Sequence, residues 1–443
     1  MMMKNQIKST TFMFLLFSFV FLTGCSMKAS ALTPGKTTLT GEIDKIHELV
    51  LRTYHSIHGH PELGKKEFNT QKLIIKELKE LGYTEFIAST LTPTAVITIL
   101  DTKKPGPVIA LRSEMDARPL AGGGKEPESH SPRSLIPGVM HNCGHDVHAS
   151  ILLGAAGILI KNTHVLSGKI VFIFQPAEEI KGGADDIVNE GLLKKLGIQK
   201  MFAQHSAGGT PVGTVSISPG YTLAGSNYFT LNVKGKQSHA AMPSEGSDVP
   251  LASAHLIQGL SYLPARRIDI TNRPVIISVS NVSTTAGALN VLPPDATIKG
   301  TIRAFEDLTE APAKGKSIKK IIDNYLSGAS AAHDVTSEFS IRKGAPPTYN
   351  NPELYNSVVK KLGDAWPGVL DTTPYRGMFS EDFSYYTREV PCLYFGLGIR
   401  KGNLGTKGVH SVDFTIHPDA LKHGLRLMTL IAQIATRGDV LLK

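Results

Sequence analysis

At 443 residues the chain is longer than a single hydrophobic core usually organises, and its 41 % hydrophobic and 19 % charged composition is that of ordinary soluble globular protein, so two domains are expected. The net charge of +9, to which Lys4 and Lys8 contribute two, is not gathered into runs of Lys and Arg interleaved with aromatics. That excludes nucleic acid as the expected partner and reads as a solvated basic surface near anionic lipid.

Lys4 and Lys8 precede an apolar run from Phe12 to Leu22, which leads into Thr23-Gly24-Cys25 with no acidic residue before the cysteine. About 11 apolar residues fall short of the roughly 20 that cross a bilayer, so residues 1–24 read as an export signal and not as a spanning helix. Its end resembles the bacterial lipoprotein box, in which a small residue precedes a Cys that becomes the lipidated N-terminus. Cys25 is then a lipid anchor holding a soluble protein to a membrane, at the periplasmic face or the cell surface; a plain secretory signal is the alternative. Cys143 and Cys392 remain, too few and too far apart for a disulfide framework.

Residues 25–40 form a polar, Thr-rich tether. Ile43, Ile46, Leu49 and Val50 then recur at helical spacing, and Leu73, Ile74, Leu78 and Leu81 mark a second helix stopped by Gly82. Short apolar runs alternate with helical stretches: Ala95–Leu100, Val108–Leu111, a helix near Ala149–Ile160, and Lys169–Phe174 between Gly168 and Pro176. The alternation predicts an α/β fold, with a mainly parallel sheet covered by helices. From about Ser226 the rhythm becomes strand (Tyr228–Val233), helix (Val249–Leu263), two strands (Val275–Val282 and Thr297–Phe305), helix (Ser317–Leu326) and strand (Thr336–Arg342). Residues 225–343 are thus expected to form a βαββαβ domain inserted into a catalytic domain made of 41–224 and 344–443. The latter closes with a buried strand at Cys392–Leu397 and a helix at Pro418–Ile434.

The densest chemistry is Met140-His141-Asn142-Cys143-Gly144-His145-Asp146-Val147-His148, three imidazoles, a thiol and a carboxylate at the opening of a helix. Such a donor set suits Zn²⁺ or a similar cation; a catalytic Cys with a His partner is the competing reading. A second cluster, Pro176-Ala177-Glu178-Glu179, follows an apolar strand whose carboxyl end opens on the crevice where parallel sheets place ligands. Adjacent carboxylates there can divide labour, one coordinating metal and one moving protons. His205 and His410 also follow strand-like segments, and for a histidine seen alone a satisfied loop residue is the commoner case.

Together these stretches resemble the aminoacylase and carboxypeptidase metallopeptidases, peptidase family M20, and within it the amidohydrolase branch. The resemblance runs from about Ile43 to Ile434 through Leu111–Asp116, Gly138–His148, Phe174–Glu179, Lys234–Pro243, Asn290–Arg303 and Ser380–Phe383. It implies that Cys143, His145, Glu179, His205 and His410 hold two divalent ions, Mn²⁺ or Zn²⁺ with Co²⁺ or Ni²⁺ as alternatives, and that Cys143 stands where relatives outside the branch have a bridging Asp. It further implies Glu178 as general base, Asp116 as the carboxylate behind a ligand imidazole, His239 as oxyanion stabiliser, and Asn290 and Arg303 as the grip on a substrate carboxylate. The inserted domain would be a ferredoxin-like lid and the surface of a homodimer. The implied reaction is hydrolysis of the amide bond of an N-acyl-amino acid or short peptide; an exopeptidase, or a non-catalytic binding lipoprotein on the same fold, are the alternatives. Glu114 where the branch has Asp, the Gly-, Ser- and Pro-rich stretch between Ala121 and Pro137, and Ser206-Ala207-Gly208-Gly209 depart from the pattern.

Overall fold

The computed structural model describes residues 38–437 except 121, 123, 181, 286–287, 311, 313–314 and 372; the export signal and Cys25 lie outside the described residues. An eight-stranded sheet runs in the order Phe86–Ile87, Val96–Asp101, Lys169–Gln175, Val108–Glu114, Lys200–Pro211, Cys392–Arg400, Val215–Ser216 and Leu370–Asp371. Its four central strands are parallel. Lys169–Gln175 is buried at every position after the first, which explains why it reads as an unbroken apolar run and not as an alternation. Val96–Asp101 runs antiparallel to it. Only residues 102–107 separate Val96–Asp101 from Val108–Glu114, too few for the crossover that a parallel arrangement needs.

One face of this sheet carries helix His145–Lys161, packed between Leu39–Gly59 and Asp419–Thr436. The middle helix is buried almost all round, as its lack of a polar face requires. Its neighbours approach so closely that a Cβ on Gly154 would lie 2.4 Å from Val50 and 2.5 Å from Leu425, and one on Gly157 would lie 2.2 Å from Ile46. Two of the boundaries that differ from the sequence reading have a clear local cause. Leu39 and Thr40, assigned to the tether, are helical because the Thr38 hydroxyl accepts the Gly41 N–H and caps the first turn. The middle helix begins at His145, four residues early, because its first turn carries polar groups aimed at the site in place of an apolar period.

Strands Gly225–Lys234, Val275–Thr284, Asp295–Ala304 and Thr336–Lys343 form a separate antiparallel sheet. Gly225–Lys234 and Asp295–Ala304 alternate buried and half-buried positions over most of their length, so one face is apolar. Helices Val249–Arg267 and Ile318–Ala331 pack on this sheet, and Phe229, Leu231, Leu256, Ile298 and Ile322 belong to its own core. No helix among the described residues is long and apolar enough to cross a membrane.

The close helix packing predicts that Gly154→Val, although valine has the better helix propensity, lowers the free energy of unfolding by about 1–3 kcal/mol through overpacking. The shift of the urea midpoint at unchanged slope measures this.

Candidate active site

The carboxyl ends of the central strands deliver the chemistry to one place. Val108–Glu114 leads to Asp116, Lys169–Gln175 leads to Glu178 and Glu179, and His205 sits within Lys200–Pro211. Cys143 and His145 flank Gly144, whose φ of +87° and whose 2.7 Å clearance between a would-be Cβ and Ser206 Oγ require glycine. That left-handed turn lets the residues on either side of it both reach the site. His410 arrives from the opposite end of the chain and is itself left-handed at φ +70°, held by its N–H on the Asn142 carbonyl at 2.6 Å. A non-glycine residue in that region costs on the order of 1–3 kcal/mol, a strain that clusters at functional sites.

Cys143 Sγ lies 3.5 Å from His205 Nε2 and 3.4 Å from His410 Nε2. The donor atoms of Cys143, His145 and His205 fall within 4.8 Å of one another, and so do those of Cys143, Glu179 and His410. Two three-donor groups therefore share Cys143 as their common corner. The partners of each imidazole set its tautomer. His145 Nδ1 donates to the Asp116 carbonyl at 2.9 Å and faces Asp116 Oδ1 at 3.1 Å, leaving a buried Nε2 with no partner among the described residues. His205 Nδ1 donates to the Ser206 carbonyl at 3.0 Å, so its Nε2 lone pair also faces the thiol. Glu179 Oε1 is a further buried acceptor with no hydrogen-bond partner among the described residues, and it lies 3.4 Å from His410 Nε2. Orphaned buried nitrogen and oxygen atoms converging on a thiol are the donor set of a soft or borderline dication, and the residues fit the metal pair that the family resemblance implies.

Asp116 joins two motifs, because its Oδ2 accepts the Glu179 N–H at 3.0 Å while Oδ1 serves His145. Burial opposes ionisation of Glu179, but His410, His145 and Arg118 outweigh it and hold its pKa at about 2. Burial pushes the Glu178 carboxyl well above its usual range, and the charges of Glu381, Asp382 and Glu179 push it further. Neighbouring glutamates are thus driven in opposite directions, the condition under which one stays a ligand anion and the other holds and releases a proton. Burial and the charge of His148 lower His205 to about 3, which keeps it a neutral donor.

Beneath the site, the fully buried Arg112 guanidinium binds Glu114, Glu381 Oε1 at 3.0 Å and Asp382 Oδ1 at 2.6 Å, and its Nε donates to Gln175 Oε1 at 2.8 Å. Glu114 in turn meets His148 Nδ1 at 2.8 Å. Glu114, Glu381 and Asp382, within the Leu111–Asp116 and Ser380–Phe383 motifs, are the counter-charges of Arg112. His141 is buried with neither ring nitrogen hydrogen-bonded among the described residues, and burial lowers its pKa to about 4.

The structure brings Cys143, His145, Glu178, Glu179, His205, His410 and Asp116 together but not His239 or Asn290. Those two are exposed on the ribbon that pairs Ser238–His239 with Val291–Leu292, and no hydrogen bond among the described residues joins either to the Cys143 cluster. Arg303, on the separate sheet, donates to Ser380 Oγ at 2.9 Å. Sequence reasoning missed Arg118, whose Nη1 lies 3.0 Å from Glu179 Oε2 and 2.6 Å from the His410 ring nitrogens. Its spacing of two from Asp116 in an extended segment, which puts both on one face, was the available signal.

A model of the Peptidase family M20/M25/M40 matches residues 110–434. The chain belongs to this peptidase family. It is 34 % identical over 398 residues to thermostable carboxypeptidase 1 of Saccharolobus solfataricus, covering 89 % of this chain and 97 % of that one. It is 32 % identical to the IAA-amino acid hydrolase ILR1-like 2 of Arabidopsis thaliana, covering 98 % of each, and 32 % identical to the N-acetyl-L-cysteine deacetylase of Bacillus subtilis, covering 82 % and 83 %. The crystal structure of the Bacillus subtilis YXEP protein, a dinuclear metal binding peptidase from the M20 family, superposes with a TM-score of 0.76 at 26 % identity, covering 88 % of this chain and 98 % of that one. The protein is therefore a metal-dependent hydrolase of the amidohydrolase and peptidase class.

Near the site, His58 Nδ1 lies 2.6 Å from Asp146 and its Nε2 3.1 Å from Glu126. Burial opposes its charge, but the bonds to Asp146 and Glu126 prevail and push its pKa up to about 9. A pKa raised from about 6.5 to about 9 adds stability, on the order of 3 kcal/mol, that is fully present below pH 6.5 and lost as the pH rises through 9. Denaturant titrations of His58→Gln are expected to lose most of the fall in stability that the parent shows between about pH 6.5 and pH 9.

Proposed function

We propose that the chain is an exported, lipid-anchored hydrolase that uses two divalent metal ions, Mn²⁺ or Zn²⁺, to cleave the amide bond of an N-acyl-amino acid or short peptide. The observation that carries the reading is the sharing of Cys143 by two donor groups, Cys143/His145/His205 and Cys143/Glu179/His410, with Glu178 alongside. When bound, the metal pair supplies an acidified water and a polarised amide carbonyl. Glu178 would take a proton from the attacking water as its oxygen adds to the carbonyl carbon. It returns the proton to the departing nitrogen as the C–N bond breaks, and so ends as it began. Asp116 keeps His145 and Glu179 oriented throughout.

An IAA-amino acid conjugate, an N-acetyl amino acid and a peptide C-terminus share an amide bond beside a free carboxylate. In this reading Arg303 and Asn290 grip that carboxylate and His239 donates to the oxyanion, with the 225–343 unit acting as lid and homodimer surface. The carboxypeptidase relative favours an exopeptidase as the second reading. Acetyl-, benzoyl- and aminoacyl-linked substrates compared at equal metal loading separate the two. Glu178→Gln is expected to lower kcat by about 10²–10⁴-fold at unchanged metal content, and chelation to abolish turnover until Mn²⁺ or Zn²⁺ is restored. Turnover by Glu178→Gln equal to that of the parent would sink the mechanism.

Cys25 would hold the mature protein at the periplasmic face or cell surface. Native protein should partition into detergent, and Cys25→Ser should release it or leave the signal uncut. Recovery of fully processed native protein in the aqueous phase refutes the anchor.

A further inference from the structure

Glu67 is fully buried, and it stands at the N-cap of helix Phe68–Glu80, where a carboxylate normally accepts the free N–H groups of its own first turn. It accepts none of them. Glu62 does that work instead, taking the Asn69 N–H at 2.9 Å and the Thr70 N–H at 2.8 Å. The Glu67 side chain turns to the site. Its Oε1 accepts the Ala177 N–H at 2.9 Å and the Lys65 N–H at 3.0 Å, and its Oε2 accepts the Thr94 hydroxyl at 2.8 Å. Burial, and then the nearby charge of Asp116, raise its pKa to about 7, so keeping a carboxyl here carries a standing cost.

Ala177 is the residue on which the acidic loop turns. It is fully buried and left-handed at φ +59°, a conformation that alanine rarely adopts, and it immediately precedes Glu178 and Glu179. Gly64 approaches it so closely that a Cβ there would lie 3.1 Å from Ala177 Cα. The segment from Glu62 to Glu67 also supports the neighbouring motif, because the Ala117 N–H donates to the Glu62 carbonyl at 2.8 Å.

We propose that Glu67 is a positioning residue: by holding the Ala177 N–H it fixes the left-handed turn that aims Glu178 and Glu179 in their separate directions. The proposal rests on the reading of Glu178 as base and Glu179 as ligand, and it assigns Glu67 no contact with substrate. A glutamine can keep the geometry, since its oxygen can serve Ala177 and Lys65 while its amide faces the Thr94 hydroxyl. An alanine cannot, and an aspartate is too short to reach.

The test measures kcat, KM and the affinity for Zn²⁺ and for Mn²⁺ alone by calorimetry, for the full chain carrying Glu67→Ala, Glu67→Asp or Glu67→Gln. Glu67→Ala and Glu67→Asp are expected to lose about 10–100-fold in kcat and in metal affinity with KM little changed, while Glu67→Gln keeps both near the parent values. Ala177→Gly added to Glu67→Asp should recover part of the loss, because glycine takes the turn unaided. Should Glu67→Ala not fold, Glu67→Asp and its Ala177→Gly partner decide. The proposal is overturned if Glu67→Gln is as impaired as Glu67→Ala, or if Glu67→Asp keeps parental kcat and metal affinity. Were the parent itself to hydrolyse nothing, the functional reading would fall, and the metal affinities would still decide the role of Glu67.

Discussion

The site depends on one carboxylate shared between two motifs. Asp116 spends one oxygen on the His145 imidazole and the other on the Glu179 main-chain N–H, so a helix N-terminus and a strand end are fixed to each other through a single planar group. A planar carboxylate holds both partners at nearly constant separation, and the donors they carry inherit that rigidity. Below, Arg112 offsets the charges of Glu114, Glu381 and Asp382, which would otherwise repel one another and Glu178 in a medium of low dielectric. Burial and the charges of Glu381 and Asp382 act on Glu178, while His410, His145 and Arg118 act on Glu179, which is how adjacent glutamates come to differ in acidity.

Much of the fold was legible because burial leaves a period. Lys169–Gln175, covered on both faces, reads as a continuous apolar run, while Gly225–Lys234 and Asp295–Ala304, covered on one, alternate. Where polar groups face the site the period disappears, and for that reason the helix at His145 was read as starting late. The site was legible in the same uneven way. Cys143 and His145 announce themselves by crowding, but His205 looks like a loop histidine until its place in a parallel strand is known, and His410 until the Asn142 carbonyl takes its N–H and it comes beside the thiol.

What stayed hidden were the partnerships across long stretches of chain. Arg118 lies 292 residues from His410, Glu67 lies 110 from Ala177, and Arg112 lies 270 from Asp382. Each of these residues has a neutral explanation on its own, as a solvated charge or a helix cap. Charge and hydrogen-bonding capacity are visible in a sequence, but the identity of the acceptor is a property of the fold.

The helix packing has a consequence for the order of assembly. His145–Lys161 is clamped by Leu39–Gly59 on one side and by Asp419–Thr436 on the other, and His410 stands just ahead of that last helix. A nascent chain therefore lacks His410 and one flank of the middle helix until it has been made through Thr436. Of the two donor groups, Cys143/His145/His205 is complete in sequence by His205, whereas Cys143/Glu179/His410 waits on a residue 205 positions further on.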